Sequence, residues 1–198
     1  MKIRNGFVSN SSSSSLPQVW KNVERTRLMQ YWSHFKYTTI HKYFVFLECC
    51  KRGIVWRGIM HDMSKFSPSE FGAYANYFFN PDGTRKTNPE TGDSNQVEAF
   101  KRAWCYHAHY NDHHPSYWIS IPHNSQTSLV GSNNYVVLLP NISAIKEMIS
   151  DMIGASAAQG NVDPKQGAMR YYLNNKNQVI LHPSARQILE MELGVNNE

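Results

Sequence analysis

At 198 residues, with 41% hydrophobic and 13% aromatic side chains, the chain is long enough to form one domain whose core encloses a dry cleft. Its formal charge of +5 is modest and evenly scattered, which suits a small anionic substrate such as a nucleotide or phosphate ester and argues against a duplex-binding basic face. Three cysteines, two of them adjacent at Cys49-Cys50 in an apolar stretch, argue against a disulfide framework and point to a reducing cytoplasm. The first eight residues, Met1 to Val8, lack the apolar core of a signal peptide, and nothing approaches the roughly twenty apolar residues of a membrane span.

In chain order, the serine run from Ser11 to Ser15 marks residues 1–15 as a flexible leader ahead of a single helical domain over 16–198. From Pro17 to Cys50, apolar positions including Trp20, Val23, Leu28, Trp32, Phe35, Phe44 and Leu47 predict one or two helices, with Thr38-Thr39 as the point where they would part. Gly53 stops this segment. A short helix carrying Ile59, Met60, His61 and Asp62 is expected next, then one capped by Ser67, with Pro68 in its first turn, running through Phe79. Asn80 to Asp93 is rich in Pro, Gly, Thr and Asn and reads as a surface loop.

A helix from about Asn95 to Tyr110 puts Val97, Phe100, Ala103, Trp104 and His107 on one apolar stripe, which aims His107 inward and His109 elsewhere. Between Ser116 and Pro140, Tyr117-Trp118-Ile119 and Tyr135 to Leu139 flank a polar loop, a small β-hairpin or an ordered excursion inserted in a mainly α protein. Helix resumes at Ile142, with Ile145, Met148, Ile149, Met152 and Ile153 as its buried face, Asp151 embedded among them and Gly160 near its end. Helices over Pro164 to Asn174 and Pro183 to Leu193 complete the chain.

The chemistry-bearing residues are spread over these segments: His41, then His61-Asp62 with Lys65 after it, then His107, the His113-His114 pair, and Asp151. Imidazoles and carboxylates on separate helical segments are the material of a buried two-metal hydrolytic site. Singly, a histidine on an apolar helical face is more often a hydrogen-bonded core residue. As a set they read differently, because Asp62 and Asp151 both lie in apolar neighbourhoods where a divalent cation removes the cost of an unpaired carboxylate. A salt bridge to Lys65, Arg57 or Lys146 is the competing explanation.

In this order the residues resemble the HD-domain metal-dependent phosphohydrolases, whose pattern is a histidine, a later His-Asp doublet and a distant aspartate on successive helices. His61 to Lys65 also fits the HDxxK segment of the two-metal subgroup. The resemblance implies an HD-domain-like helical bundle in which His41, His61, Asp62 and Asp151 hold one ion. His107 and one of His113 or His114 hold a second, with Asp62 bridging and a metal-activated water as nucleophile. It implies Asp62 and Lys65 as catalytic residues, with Lys65 contacting phosphate or developing charge. Arg57, Arg102 and Tyr110 are further candidates for substrate contact. Glu147 lies one turn before Asp151 and is read as an ordinary ion pair in preference to an acceptor for a ligand histidine, and Asn111 is placed to orient His107.

More narrowly, His61 to Phe71, Ala99 to Trp118 and Glu147 to Gly160 are similar to an uncharacterised family common in phage and firmicute genomes, a likeness that spans roughly residues 30 to 190. Two departures from the HD pattern matter. Tyr37 stands where a three-metal subgroup has glutamate, and Pro115-Ser116-Tyr117-Trp118 replaces the glycines that follow the paired histidines in cyclic-dinucleotide phosphodiesterases. The function the resemblance implies is hydrolysis of a small phosphate ester, a nucleotide first, with two divalent ions (iron, manganese or another transition metal) in the cytoplasm of a cell or phage host. Tyr106, Tyr110, Tyr117 and Trp118 suit stacking on a base. The alternatives are a di-iron oxygenase on the same scaffold and an inactive phage factor that binds a nucleotide or a protein.

Overall fold

The computed structural model describes residues 18–121 and 135–195, with side chains from 27 onward; the serine leader and His123 lie outside that range. The described residues contain seven α-helices, three short 3₁₀ turns and one small sheet: α1 (Gln18–Lys51), α2 (Val55–Met60), α3 (Pro68–Phe78), α4 (Ser94–Tyr110), β1 (Ile119–Ser120), β2 (Val136–Val137), α5 (Ile142–Ala158), α6 (Pro164–Asn175) and α7 (Pro183–Leu193), with the 3₁₀ turns at Met63–Phe66, Pro89–Thr91 and Pro115–Trp118. The protein is therefore mainly α. The expected hairpin forms, with Ile119 opposite Val137 and Ser120 opposite Val136 in an antiparallel register. None of these helices is long and apolar enough to cross a membrane.

Thr38-Thr39 does not divide the first helix. A buried stripe of Gln30, His34, Thr38, His41, Val45 and Cys49 runs down one face at steps of three and four, so Thr38 lies inside the continuous interface and α1 remains a single rod about 51 Å long. The helix packs most extensively on α5, and also on α2 and α3. Gly154 makes the α1–α5 contact close: a Cβ there would stand 2.5 Å from Val45 Cγ2 and 2.8 Å from the Val45 backbone nitrogen. Only a residue without a side chain fits, and the crossing brings His41, one turn before Val45, against Asp151.

Local capping sets most other boundaries. Asp93 accepts from the Asn95 and Gln96 amides at the start of α4, Asn141 from Ala144 at α5, and Asp163 from Gln166 at α6, where Pro164 takes the first position. Ser67 occupies the cap position of α3 but its hydroxyl bonds Ser69 instead of a helix amide. The apolar core lies between α5, α6 and α7, around Ile145, Ile149, Ile153, Tyr172, Leu189 and Leu193. An aromatic cluster joins α3 to α4, with Tyr77 stacked on Phe100 at 3.7 Å between ring centroids. Between these two regions the interior is polar.

Candidate metal centre

The His-Asp doublet is not helical, contrary to expectation. α2 ends at Met60, and Lys42 Nζ from α1 donates to the Ile59 and His61 carbonyls (2.5 and 2.6 Å), which satisfies those acceptors outside a helix. Asp62 then takes the left-handed conformation (φ 54°, ψ 23°), the one non-glycine residue among those described with positive φ. An aspartate tolerates this conformation better than a branched residue, and strain of this kind is concentrated at functional positions. Lys65 follows in a short 3₁₀ turn, Met63–Phe66, so it reaches the doublet across a turn and not along a helical face.

The turn places the Asp62 carboxylate, 1% exposed, at the centre of the histidines. Its Oδ2 lies 3.5 Å from His41 Nε2 and 3.3 Å from His61 Nε2, while Oδ1 lies 3.1 Å from His107 Nε2 and 3.5 Å from His113 Nε2. Asp151 Oδ1 closes the first group, 3.1 Å from His41 Nε2 and 3.4 Å from His61 Nε2. Two sets share Asp62, His41/His61/Asp62/Asp151 and Asp62/His107/His113/His114, each with one ligand atom per residue within 4.8 Å of the others, and a third group meeting the same measure, His61/His113/Glu147, joins them from the side. Both members of the His113-His114 pair reach the second set.

The donor atoms themselves test whether ions fit. Nε2 of His41, His61, His107, His113 and His114 and Oδ1 of Asp62 are buried and make no hydrogen bond, although carboxylate oxygens stand nearby. Buried polar atoms without partners are rare, and here they converge on common points. A mixed imidazole and carboxylate set of this kind can hold metal ions, and the residues present fit that role.

A surrounding layer of acceptors fixes the rings. Glu147 Oε1 lies 2.9 Å from His61 Nδ1 and 3.2 Å from His113 Nδ1, and Glu70 Oε2 lies 3.0 Å from His107 Nδ1. A carboxylate at Nδ1 accepts that nitrogen's proton and leaves the Nε2 lone pair facing the centre. Glu147 is thus an acceptor for two histidines as well as an ion-pair partner of Arg57, which corrects the simpler expectation. Asn111 donates to the His107 carbonyl (2.8 Å) and approaches His107 Nδ1 at 3.3 Å.

Charge follows the same plan. Burial opposes ionisation of Asp62 and Asp151, yet neighbouring imidazoles hold both well below the usual carboxylate range, with Lys65 adding to the effect at Asp62. Burial likewise opposes the charged form of His41, His61, His107 and His113, but the carboxylates win and raise all four. His114 goes the other way: burial, then the His113 charge, push it down to about 3 and leave it neutral. Glu147 is held at about 2, where its histidine partners outweigh burial.

Lys65 Nζ donates to Asp62 Oδ2 at 2.5 Å, so the competing salt bridge forms but satisfies only one of the two carboxylate oxygens. Arg57 pairs with Glu147 and Asp112 and lines a cavity with Tyr110, His61 and His113, on another side of the cluster from Lys65, whereas Arg102 is exposed and pairs with Glu98. Lys146 bonds the Arg52 carbonyl. His109 is exposed and turns back to the Cys105 carbonyl, as its position on α4 implies.

Three cavities reach the cluster. One, of about 460 Å³, is bounded by α5, α6 and the segment before α7; a second, of about 210 Å³, lies among α1, α3 and α4; a third, of about 340 Å³, opens on His61, His113 and Glu147 and is lined by Arg57, Tyr110 and Tyr117. Trp104, His114 and Asp151 line the first two. Rings that line these cavities include Tyr37, Tyr74, Phe78, Phe100, Trp104, Tyr171, Tyr172, Tyr110 and Tyr117, whereas Tyr106 is exposed and Trp118 is tied through its indole N–H to the Asp112 carbonyl. Sequence reasoning missed His34, Glu70 and Arg85. His34 stands seven residues before His41, two turns up the same face, which is a signal that was there to be read.

A mainly helical protein with a buried histidine and carboxylate cluster able to hold metal ions is the class that fold and site define. The chain belongs to a family of unknown function, DUF5662, which covers residues 30–194. No curated protein and no solved structure matches it.

Proposed function

We propose that the chain is a metal-dependent phosphohydrolase of the HD-domain kind, with a dinuclear centre acting on a small phosphate ester, a nucleotide first. The observation that carries this reading is the division of Asp62 between two histidine sets, one per carboxylate oxygen, which is the arrangement a bridging ligand requires. In it, His41, His61, Asp62 and Asp151 hold one ion, and Asp62, His107, His113 and His114 hold the other.

Two divalent ions, when bound, supply activation of water and neutralisation of phosphoryl oxygens. The rest is done by the chain. Glu147 and Glu70 hold the Nδ1 protons of three ligand histidines and so preset the rings. Lys65 lines the smaller cavity beside the cluster, where its ammonium meets negative charge that develops on a phosphoryl group. Trp104 lines this cavity and that of about 460 Å³, beside His114 and Asp151, and offers a flat apolar wall to a bound substrate.

The test is an assay for hydrolysis products of nucleotides, phosphate monoesters and phosphodiesters, inorganic phosphate from the monoesters and the released monoester from the diesters, using protein reconstituted with manganese or iron, run beside oxygen uptake. Hydrolysis that is lost in Lys65→Ala with metal content intact supports the reading. Oxygen consumption without hydrolysis overturns it in favour of a di-iron oxygenase.

A further inference from the structure

The two cavities that share Trp104, His114 and Asp151 differ in size and in charge. About 460 Å³ falls within the range of small-molecule sites, while about 210 Å³ holds only a fragment, the space of roughly seven waters. Among the described residues, the larger cavity has no lysine or arginine in its wall and Asp151 as its one carboxylate; Met148, Met152, Tyr171 and Ile180 make it apolar, with the amides of Asn175 and Gln178 at its side. The smaller has aromatic walls and two cations, Lys65 and Arg85. Lys65 sits at the cluster, paired with Asp62 and next to the reacting phosphorus. Arg85 lies over the rings of Tyr37 and Phe78, at 4.8 and 5.5 Å from their centroids, and has no carboxylate partner among the described residues.

Arg85 is held in place. The segment expected to be a plain surface loop begins as a tight turn, in which Asn80 N–H donates to the Thr84 carbonyl (2.8 Å), Lys86 N–H donates to the Phe78 carbonyl (2.9 Å), and Arg85 pairs with Phe79 as an isolated bridge. Gly83 (φ +85°) lets the turn sit on α1: a Cβ there would meet Ser33 Oγ at 2.7 Å and the Met29 carbonyl at 3.0 Å. From α1, Gln30 Nε2 also donates to the Phe79 carbonyl at 2.7 Å. The backbone that carries Arg85 is thus braced, and its exposed side chain lines the smaller cavity with no ion-pair partner among the described residues, so its N–H edges suit an anion there.

We propose that the substrate has an arm on each side of the reacting phosphorus, an uncharged one in the larger cavity and one ending in an anion in the smaller, and that Arg85 reads that anion. This rests on the phosphohydrolase reading and narrows it to a phosphodiester or phosphoanhydride with one charged arm, since a monoester fills only one of the two cavities that meet at Trp104, His114 and Asp151. In its hydrolysis the water oxygen forms a new bond to phosphorus and the bond from phosphorus to one arm breaks. One proton of the water ends on that arm's oxygen and the other goes to solvent, with no change of oxidation state.

The experiment is isothermal titration of metal-loaded wild type, Arg85→Gln and Arg85→Lys with phosphonoacetate, ethylphosphonate and phenylphosphonate, with metal content measured on the same samples. Phosphonoacetate carries the anionic arm, ethylphosphonate a neutral one of similar size, and phenylphosphonate a flat apolar group. Wild type should bind phosphonoacetate about tenfold more tightly than ethylphosphonate, the increment of one charge-assisted contact. Arg85→Gln should lose that ratio, Arg85→Lys should keep part of it, and both should bind phenylphosphonate as wild type does. An unchanged ratio in Arg85→Gln, or no preference in a wild type that holds metal and binds phenylphosphonate, overturns the role of Arg85 and leaves the phosphohydrolase reading standing. A wild type that holds no metal and binds none of the three removes both.

Discussion

Gly154 and Val45 are in contact where α5 crosses α1, so closely that any β-carbon on Gly154 would overlap Val45 Cγ2 at 2.5 Å. The same crossing sets His41 Nε2 3.1 Å from Asp151 Oδ1. Helix packing and the proposed first ion site are therefore one geometric fact. Gly154→Ala should cost about 1–3 kcal/mol by overpacking and weaken metal binding by moving Asp151 away from His41. Urea denaturation and a metal titration of the same variant check the two effects together.

Glu147 touches one histidine of each set through a single oxygen. Glu147→Gln keeps the shape but gives up the charge, and should lower metal affinity about 10- to 100-fold, the usual cost of losing such a partner. Glu70→Gln should affect only the set that contains His107. Calorimetric titration with manganese distinguishes one weakened site from two.

His34 is buried in the wall of the smaller cavity, with neither ring nitrogen hydrogen-bonded. Burial, then the nearby Lys65 charge, lower its pKa to about 4 from an ordinary 6.5. It packs against the rings of Phe71, Tyr74 and Phe79. Between pH 6.5 and 4 the unfolded chain takes up a proton that the folded chain refuses, so stability falls as pH drops through that window, by about 3 kcal/mol at most. His34→Gln should flatten that part of the pH profile, measured as denaturation midpoints at fixed metal content.

Ions that bind only the folded cluster must stabilise it. Metal at one hundred times its dissociation constant should add about 2.7 kcal/mol, and a chelator should reverse this. Thermal unfolding with and without manganese reads the difference, while His109→Ala, on the exposed face of α4, should behave as wild type.

Periodicity and capping signals located the helices well: Pro183 to Leu193 appears as read, and α4 and α6 are within a residue at each end. The proposed ligands were legible as residue types in order, and the structure brings His41, His61, Asp62, His107, His113, His114 and Asp151 together. What was not legible depends on tertiary contact. No local pattern in His61-Asp62 shows that Lys42 will end α2 through its carbonyls and throw Asp62 into a left-handed turn. Glu70 reads as an ordinary first-turn acid of α3, favourable to the helix dipole, until α4 packs His107 against it. Arg85 is hidden for the same reason: its loop composition says turn, and only the seating of Gly83 on α1 says where the turn points.

The Asp62 carboxylate joins both proposed ion sites, and elemental analysis of purified wild type beside Asp62→Ala tests that role most directly. About two transition-metal ions per chain are expected in wild type, with loss of both in the variant, because each set loses an oxygen. Full metal occupancy in Asp62→Ala, or a wild type that stays empty after incubation with manganese or iron, would contradict it.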